Sequence, residues 1–258
     1  MNNQIFLKKY ANSLERKIIN SKNTSFFKKP FEHLIIDKAF DKKFANKISR
    51  SFPKLTRKNW EFSNTDNIEV KYRTKWLSEF DIPNNIIDVV RIFNSSIILK
   101  AVSKKIGIKK IMPDPYFTGG GLNLTEKGGL LDVHIDGNYH DASGLNRRLN
   151  LLYYLTPNWK KEFGGELCLY DKTGKKLVKK IQPIFNRIVI FNTHDFSYHG
   201  LPDKVNFPKH NPRKSVILYY YTKEARPKSQ SKYKKPHSAL WVKKNMLDKK
   251  GKISRKFY

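Results

Sequence analysis

Gly129-Leu130-Leu131-Asp132-Val133-His134-Ile135-Asp136 is the stretch whose reading decides the fold. Its apolar run predicts a strand, and residues i and i+2 of a strand project from one face, so His134 and Asp136 present an imidazole and a carboxylate to one point. His199 follows 63 residues after Asp136, just beyond Arg187-Ile188-Val189-Ile190-Phe191, which reads as a buried strand. Arg213, 14 residues further on, opens Ser215-Val216-Ile217-Leu218-Tyr219-Tyr220-Tyr221, another strand. Two imidazoles and one carboxylate on one face leave the opposite coordination positions empty, as non-haem Fe(II) requires to hold a cosubstrate and O2 together. Structural zinc would close its shell instead. His134, Asp136 and His199 are therefore the candidate metal ligands and catalytic centre. His140 and His194 form no His-x-Asp and are expected on loops beside the site.

The order of motifs around this centre resembles the 2-oxoglutarate/Fe(II) dioxygenases of the prolyl 4-hydroxylase type. The resemblance runs through residues 129–136, then Arg147-Arg148-Leu149-Asn150-Leu151-Leu152-Tyr153-Tyr154-Leu155-Thr156 and Trp159. It continues through Gly164-Gly165-Glu166-Leu167, Pro183, Arg187 to Phe191, His199-Gly200 and Arg213-Lys214-Ser215. Upstream, Pro30-Phe31-Glu32-His33-Leu34-Ile35-Ile36-Asp37 looks like the opening of many bacterial and phage members. The likeness spans residues 30–222 and is densest from Pro113 to Thr222.

The resemblance implies a mostly β fold with flanking helices, a double-stranded β-helix or jelly roll whose core occupies about 113–222. It implies hydroxylation of an unidentified substrate, with 2-oxoglutarate converted to succinate and CO2, using Fe(II), O2 and ascorbate as reductant. A prolyl residue in a peptide, an amino acid or a sugar-type small molecule are the implied substrate classes. Arg213 stands in the family's place for the cation that pairs with the far carboxylate of 2-oxoglutarate, and its planar fork suits two parallel hydrogen bonds. Ser215 shares its strand face and offers a hydroxyl. Tyr154 occupies the place where animal oxygen-sensing prolyl hydroxylases direct a tyrosine hydroxyl at the same carboxylate, and Asn150, Leu152 and Tyr154 alternate onto one face. Where those relatives carry a second tyrosine before the His-x-Asp, this chain reads Asn123-Leu124-Thr125.

Composition bounds the rest. The 258 residues suffice for one sizeable core. One cysteine, Cys168, excludes an internal disulfide framework and is read as a small buried residue of a strand. No run of about 18 apolar residues is present and no apolar signal core opens the chain, which predicts a soluble cytoplasmic protein without a membrane span. The formal charge of +30 makes nucleic acid or another polyanion a conceivable partner. It comes from 41 lysines against 11 arginines, whereas arginine is favoured for base and phosphate recognition, so polyanion binding is not the preferred reading. The alternative from another class is a non-catalytic jelly-roll module that uses its basic surface on a polyanion. Intact ligands count against it. Nothing in the sequence specifies an oligomeric state.

Three segments follow. Residues 1–29 form a basic N-terminal extension, with Ile5, Leu7, Leu14 and Ile18 compatible with a helix. Residues 30–222 form the catalytic domain, with a strand at Leu34 to Ile36, a helix from Asp41 to Phe52 stopped by Pro53, and a helical period from Ile86 to Ile106. Between them, the aromatics Trp60, Phe62, Tyr72 and Trp76 suit either a substrate-side loop or packing. Residues 223–258 carry 13 basic against 2 acidic side chains, a net of +11, and read as a basic tail that packs as a short appendage or frays, with a solvated tail preferred to an electrostatic arm.

Overall fold

The computed structural model describes residues 3–65, 68–74 and 76–242. Among these, helix α1 (Asn3–Ile19) precedes strands β1 (Phe26–Phe27) and β2 (His33–Ile36) and helix α2 (Lys42–Arg50). A hairpin of β3 (Trp60–Thr65) and β4 (Glu69–Thr74) leads to helices α3 (Asn84–Phe93) and α4 (Ser96–Ile106). The remaining strands are β5 (Met112–Pro113), β6 (Gly121–Thr125), β7 (Leu130–Ile135), β8 (Asn146–Tyr154), β9 (Leu167–Tyr170), β10 (Leu177–Ile181), β11 (Arg187–Asn192), β12 (His199–Leu201), β13 (Arg213–Thr222) and β14 (Leu240–Trp241).

The strands form one curled antiparallel sheet in the order β1-β2-β11-β8-β13-β6-β4-β7-β12-β9-β10, with β3 on β4, β5 on β13 and β14 on β7. This is the expected jelly roll. Alternation along its central strands explains why they read as near-continuous apolar runs: both faces are covered. From β8, β11 and β13, Leu149, Leu151, Tyr153, Ile188, Ile190, Val216 and Leu218 pack outward with Leu14, Ile48, Ile86, Val89 and Phe93 of the helices. The intervening Leu152, Tyr154, Val189 and Phe191 turn inward to Leu167 and Leu169 of β9. A polar side chain on the inner face is thus withdrawn from water and held by neighbouring strands, which is the condition for a preorganised site.

Local chemistry sets the helix ends. Asp41 caps α2 by accepting from the Phe44 amide at 2.9 Å, and its other carboxylate oxygen accepts from the Tyr10 hydroxyl. The single helical period from Ile86 to Ile106 is broken in two, because the Ser95 hydroxyl caps a new helix through the Ile98 amide at 3.4 Å. Gly107 then closes α4 in the left-handed region.

At the ends, one expectation needs correction and one open point is resolved. Residues 3–19 form the helix whose docking the sequence left open: Ala11, Leu14 and Ile18 are buried in the main core, since an amphipathic helix lowers its free energy by covering the helical layer with its apolar stripe. The C-terminal segment is not a solvated tail through residue 242, because Leu240 and Trp241 are buried and pair with β7. Residues 243–258 of that predicted tail lie outside the described residues. The aromatic stretch divides: Trp60 and Trp76 are buried packing residues, whereas Phe62 is half exposed beside Tyr72. No helix among the described residues is long and apolar enough to cross a membrane.

Candidate active site

His134 on β7 and His199 on β12 are directly paired across adjacent strands, and Asp136 follows the end of β7. The ligand atoms of the three side chains all lie within 4.8 Å of one another. His134 Nε2 is 3.7 Å from Asp136 Oδ1, and His199 Nε2 is 3.4 Å from Oδ2. Each imidazole has its Nδ1 2.8 Å from a backbone carbonyl, that of Asp132 for His134 and that of Ser197 for His199. A carbonyl accepts only from a protonated nitrogen, so each Nδ1 carries a proton and each Nε2 is the nitrogen left to ligate a metal. Burial, chiefly, lowers His199 to about 4, with His134 and Arg147 adding to the effect and Asp136 opposing it. Its ring is therefore neutral at pH 7. Burial alone would raise Asp136, but Arg147, His199 and His134 outweigh it and hold the carboxyl well below its ordinary range. Two imidazoles and one carboxylate around an open position are a donor set that fits a ferrous ion.

Asp136 has two further partners. Asn150 donates to Oδ2 at 2.8 Å, and Arg147 lies 3.2 Å from Oδ1 while also donating to the Asn150 carbonyl oxygen. The Arg147 guanidinium is stacked 3.5 Å above the Tyr219 ring. Sequence reading assigned no role to Arg147, for a definable reason. Strict alternation from Tyr154, Leu152 and Asn150 would bring Arg148 onto the inner face. A β-bulge intervenes: Leu149 pairs with Tyr220 and Arg147 with Tyr221, so Arg148 is the extra residue and Arg147 lines the cavity.

The cavity, about 300 Å3, runs from His134, Asp136 and His199 past Leu152 and Ile217 to Arg213. Arg213, Ser215 and Tyr154 come together as the strand register requires, with Ser215 opposite Tyr154 on one side and Asn123 on the other, and Arg213 opposite Thr125. Arg213 Nε donates to the Gly165 carbonyl at 3.0 Å, and its guanidinium lies 5.0 Å from the Tyr154 ring centre. Gly165 is in the left-handed region, and a Cβ there would stand 2.9 Å from the Phe207 ring and 3.1 Å from Arg213 Cδ, so only glycine lets the arginine lie where it does. Arg213 Nη2, Tyr154 Oη and Ser215 Oγ are all buried, and none has a hydrogen-bond partner among the described residues. Two unpaired buried hydroxyls beside one fixed cation cost free energy unless an anion takes them up, and a carboxylate matches them. Asn123 and Thr125 also line the cavity.

The other histidines lie elsewhere. His140 is paired with Asp114 at 3.0 Å on a loop, and His194 packs edge-on to Phe31 ahead of β12. Cys168 is buried in β9, and burial raises its thiol to about 11, which makes it inert. His33 and His194 are both lowered to about 4, mainly by burial. Between about pH 6.5 and 4 the unfolded chain binds protons at these rings that the folded chain excludes, so their stabilisation, complete above 6.5, falls as the pH drops toward 4. The denaturant midpoint should therefore decrease with acidification in this window, and less steeply in a His33→Gln, His194→Gln double variant. Identical slopes would count against the assignment.

Residues 120–221 match the family described as the 2OG-Fe(II) oxygenase superfamily. Mouse prolyl 3-hydroxylase OGFOD1 is 30% identical over 86 residues, covering 32% of this chain and 15% of that protein. Mouse prolyl hydroxylase EGLN3 is 28% identical over 111 residues, covering 42% of this chain and 43% of that protein. The chain thus spans less than half the length of either relative. A prolyl hydroxylase from Trichoplax adhaerens, solved in complex with a hypoxia inducible factor oxygen degradation domain peptide, superposes with a TM-score of 0.52 at 21% identity, covering 83% of this chain and 91% of that one. Over residues 120–221, a jelly roll with an open site of two histidines and an aspartate is similar to the 2OG-Fe(II) oxygenase superfamily.

Proposed function

We propose that the protein is a 2-oxoglutarate- and Fe(II)-dependent hydroxylase in which His134, Asp136 and His199 hold the metal. Arg213, Tyr154 and Ser215 receive the far carboxylate of the cosubstrate. The observation that carries this reading is the pairing, in one cavity, of a three-residue donor set with a buried guanidinium and two buried hydroxyls that lack partners. The bound metal and cosubstrate supply the oxidising power for insertion of one oxygen atom from O2 into a substrate C–H bond, with release of succinate and CO2. The protein's own work is positional. The Asp132 and Ser197 carbonyls fix the tautomers of the two imidazoles, and Asn150 and Arg147 keep the Asp136 carboxylate ionised and oriented. Leu152, Ile217, Leu167 and Phe191 line the cavity with apolar surface that would strengthen an ion pair between Arg213 and the cosubstrate carboxylate.

A prolyl residue in a peptide is the leading substrate class, supported by the peptide-bound structure of the Trichoplax relative; an amino acid or sugar-type small molecule is the next. Ascorbate is the proposed reductant and the cytoplasm the proposed compartment. Residues 30–222 are proposed as the catalytic domain. The test is succinate release by the purified chain with Fe(II), 2-oxoglutarate and O2, first against proline-containing peptides and then against metabolite extracts. A faster release with one class, and a product heavier by one oxygen atom, are expected. Absence of Fe(II)-dependent succinate under every condition would overturn the reading.

A further inference from the structure

Strand β7 carries His134 and leads directly into Asp136, yet its neighbours in chain order cover it incompletely. On the side away from β12, β4 pairs only with Leu130 and Leu131, and the Asp132 amide is taken by the Ile68 carbonyl at 2.7 Å. The ligand-bearing end is covered by the C-terminal segment: Trp241 pairs with His134, Leu240 with Ile135, and the Val242 amide donates to the Val133 carbonyl at 2.9 Å. Trp241 also lays its ring against the His134 imidazole, with centroids 4.6 Å apart and planes 33° from parallel. Its remaining surface packs with Ile68, Leu131 and Ala239 and walls the cavity.

The same segment is fastened to the loop that leads into His199. Asp195, buried four residues before that histidine, accepts from Arg226 at 2.7 Å and from the amides of Lys232 and Tyr233 at 2.7 and 2.9 Å, with His237 Nε2 at 3.3 Å. Arg226 donates in addition to the Arg147 carbonyl, at 2.8 and 3.1 Å. His237 and Asn138 exchange two hydrogen bonds just past Asp136. At Gly137 a Cβ would stand 3.0 Å from the His237 carbonyl oxygen, so this close seating needs glycine directly after Asp136.

We propose that residues 226–242 are a brace of the metal site, that Trp241 is a positioning residue for the His134 imidazole, and that Asp195 is the anchor of the brace. This rests on the proposed metal role of His134. The Asp132 carbonyl fixes one edge of that ring and leaves its faces free; the indole supplies a face. Asp195 and β14 together tie both histidine-bearing segments to one strap, so a single carboxylate holds the ligands in mutual register. Outer partners that orient a ligand typically contribute about 10–100-fold to metal affinity.

The test is an anaerobic Co(II) titration of the full chain, followed by visible d–d absorption and by quenching of tryptophan emission. Trp241→Ala is expected to weaken Co(II) binding by about tenfold or more and to alter the band shape, with Trp241→Phe restoring most of both. Asp195→Asn should fall between Ala and parent. Quenching should be strong in the parent and largely lost in Trp241→Phe, since Trp241 is the indole that touches a proposed ligand. A parent that binds tightly while Trp241→Ala matches it, or Phe no better than Ala, overturns the brace alone. A parent that binds no Co(II), like a His134→Ala control, overturns the reading of the site and the brace with it. Should Trp241→Ala fail to fold, Asp195→Asn and Trp241→Phe decide: loss in the former with retention in the latter is expected, and parent-like affinity in Asp195→Asn overturns the proposal.

Discussion

Alanine at His134, Asp136 or His199 is expected to abolish the weak visible charge-transfer band that forms when Fe(II) and 2-oxoglutarate are added without oxygen. The band requires a keto acid chelated in two adjacent positions, which exist only while three protein ligands hold the metal from the other side. The three variants should differ in stability. Asp136→Ala strands the buried Arg147 guanidinium without its carboxylate, leaving its Asn150 contact and its packing on Tyr219. Leaving a buried charge unpaired typically costs about 3–5 kcal/mol, so this variant should melt well below either histidine variant. Absorption and thermal melting on the same samples check both statements. Full cosubstrate turnover in any of the three would remove that residue from the site.

Arg213→Ala should leave metal binding nearly intact while raising the 2-oxoglutarate requirement steeply. Removing one partner of a buried charge pair typically costs about 2–5 kcal/mol, or roughly thirty- to several-thousand-fold in affinity. Tyr154→Phe should raise the requirement more mildly, because it deletes one hydroxyl and keeps the ring under the guanidinium. The measurement is the 2-oxoglutarate concentration that half-saturates the charge-transfer band. Lys214, the next cation in sequence, cannot substitute: its ammonium lies over Phe52 on the outer face, 5.7 Å from the ring centre. Parent-like affinity in Arg213→Ala would mean that the cosubstrate carboxylate is held elsewhere in the cavity.

What the sequence determined by itself was everything that depends on period and order. Alternation in residues 129–136 predicted that His134 and Asp136 share a face, because strand geometry is local; the jelly roll around them was implied by the resemblance of the ordered motifs to a known family. The same alternation put Ser215 beside Arg213. Tertiary structure decided what depends on breaks in periodicity and on distant chain meeting chain. The bulge at Arg147-Arg148 moved one arginine into the cavity and the other out, and no local signal marks where an extra residue is accommodated. The docking of α1 depended on an apolar layer built by α3 and α4, some 70 residues and more away in sequence. The segment 226–242 appeared from composition to be too basic to pack, because its few apolar residues are a weak sign of burial. Its place is set instead by the incompletely paired edge of β7 and by the buried Asp195 carboxylate, which gathers Arg226, His237 and two amides. A buried anion that must be satisfied can order a polar segment as firmly as a hydrophobic core can, and only the folded chain reveals which segment answers it.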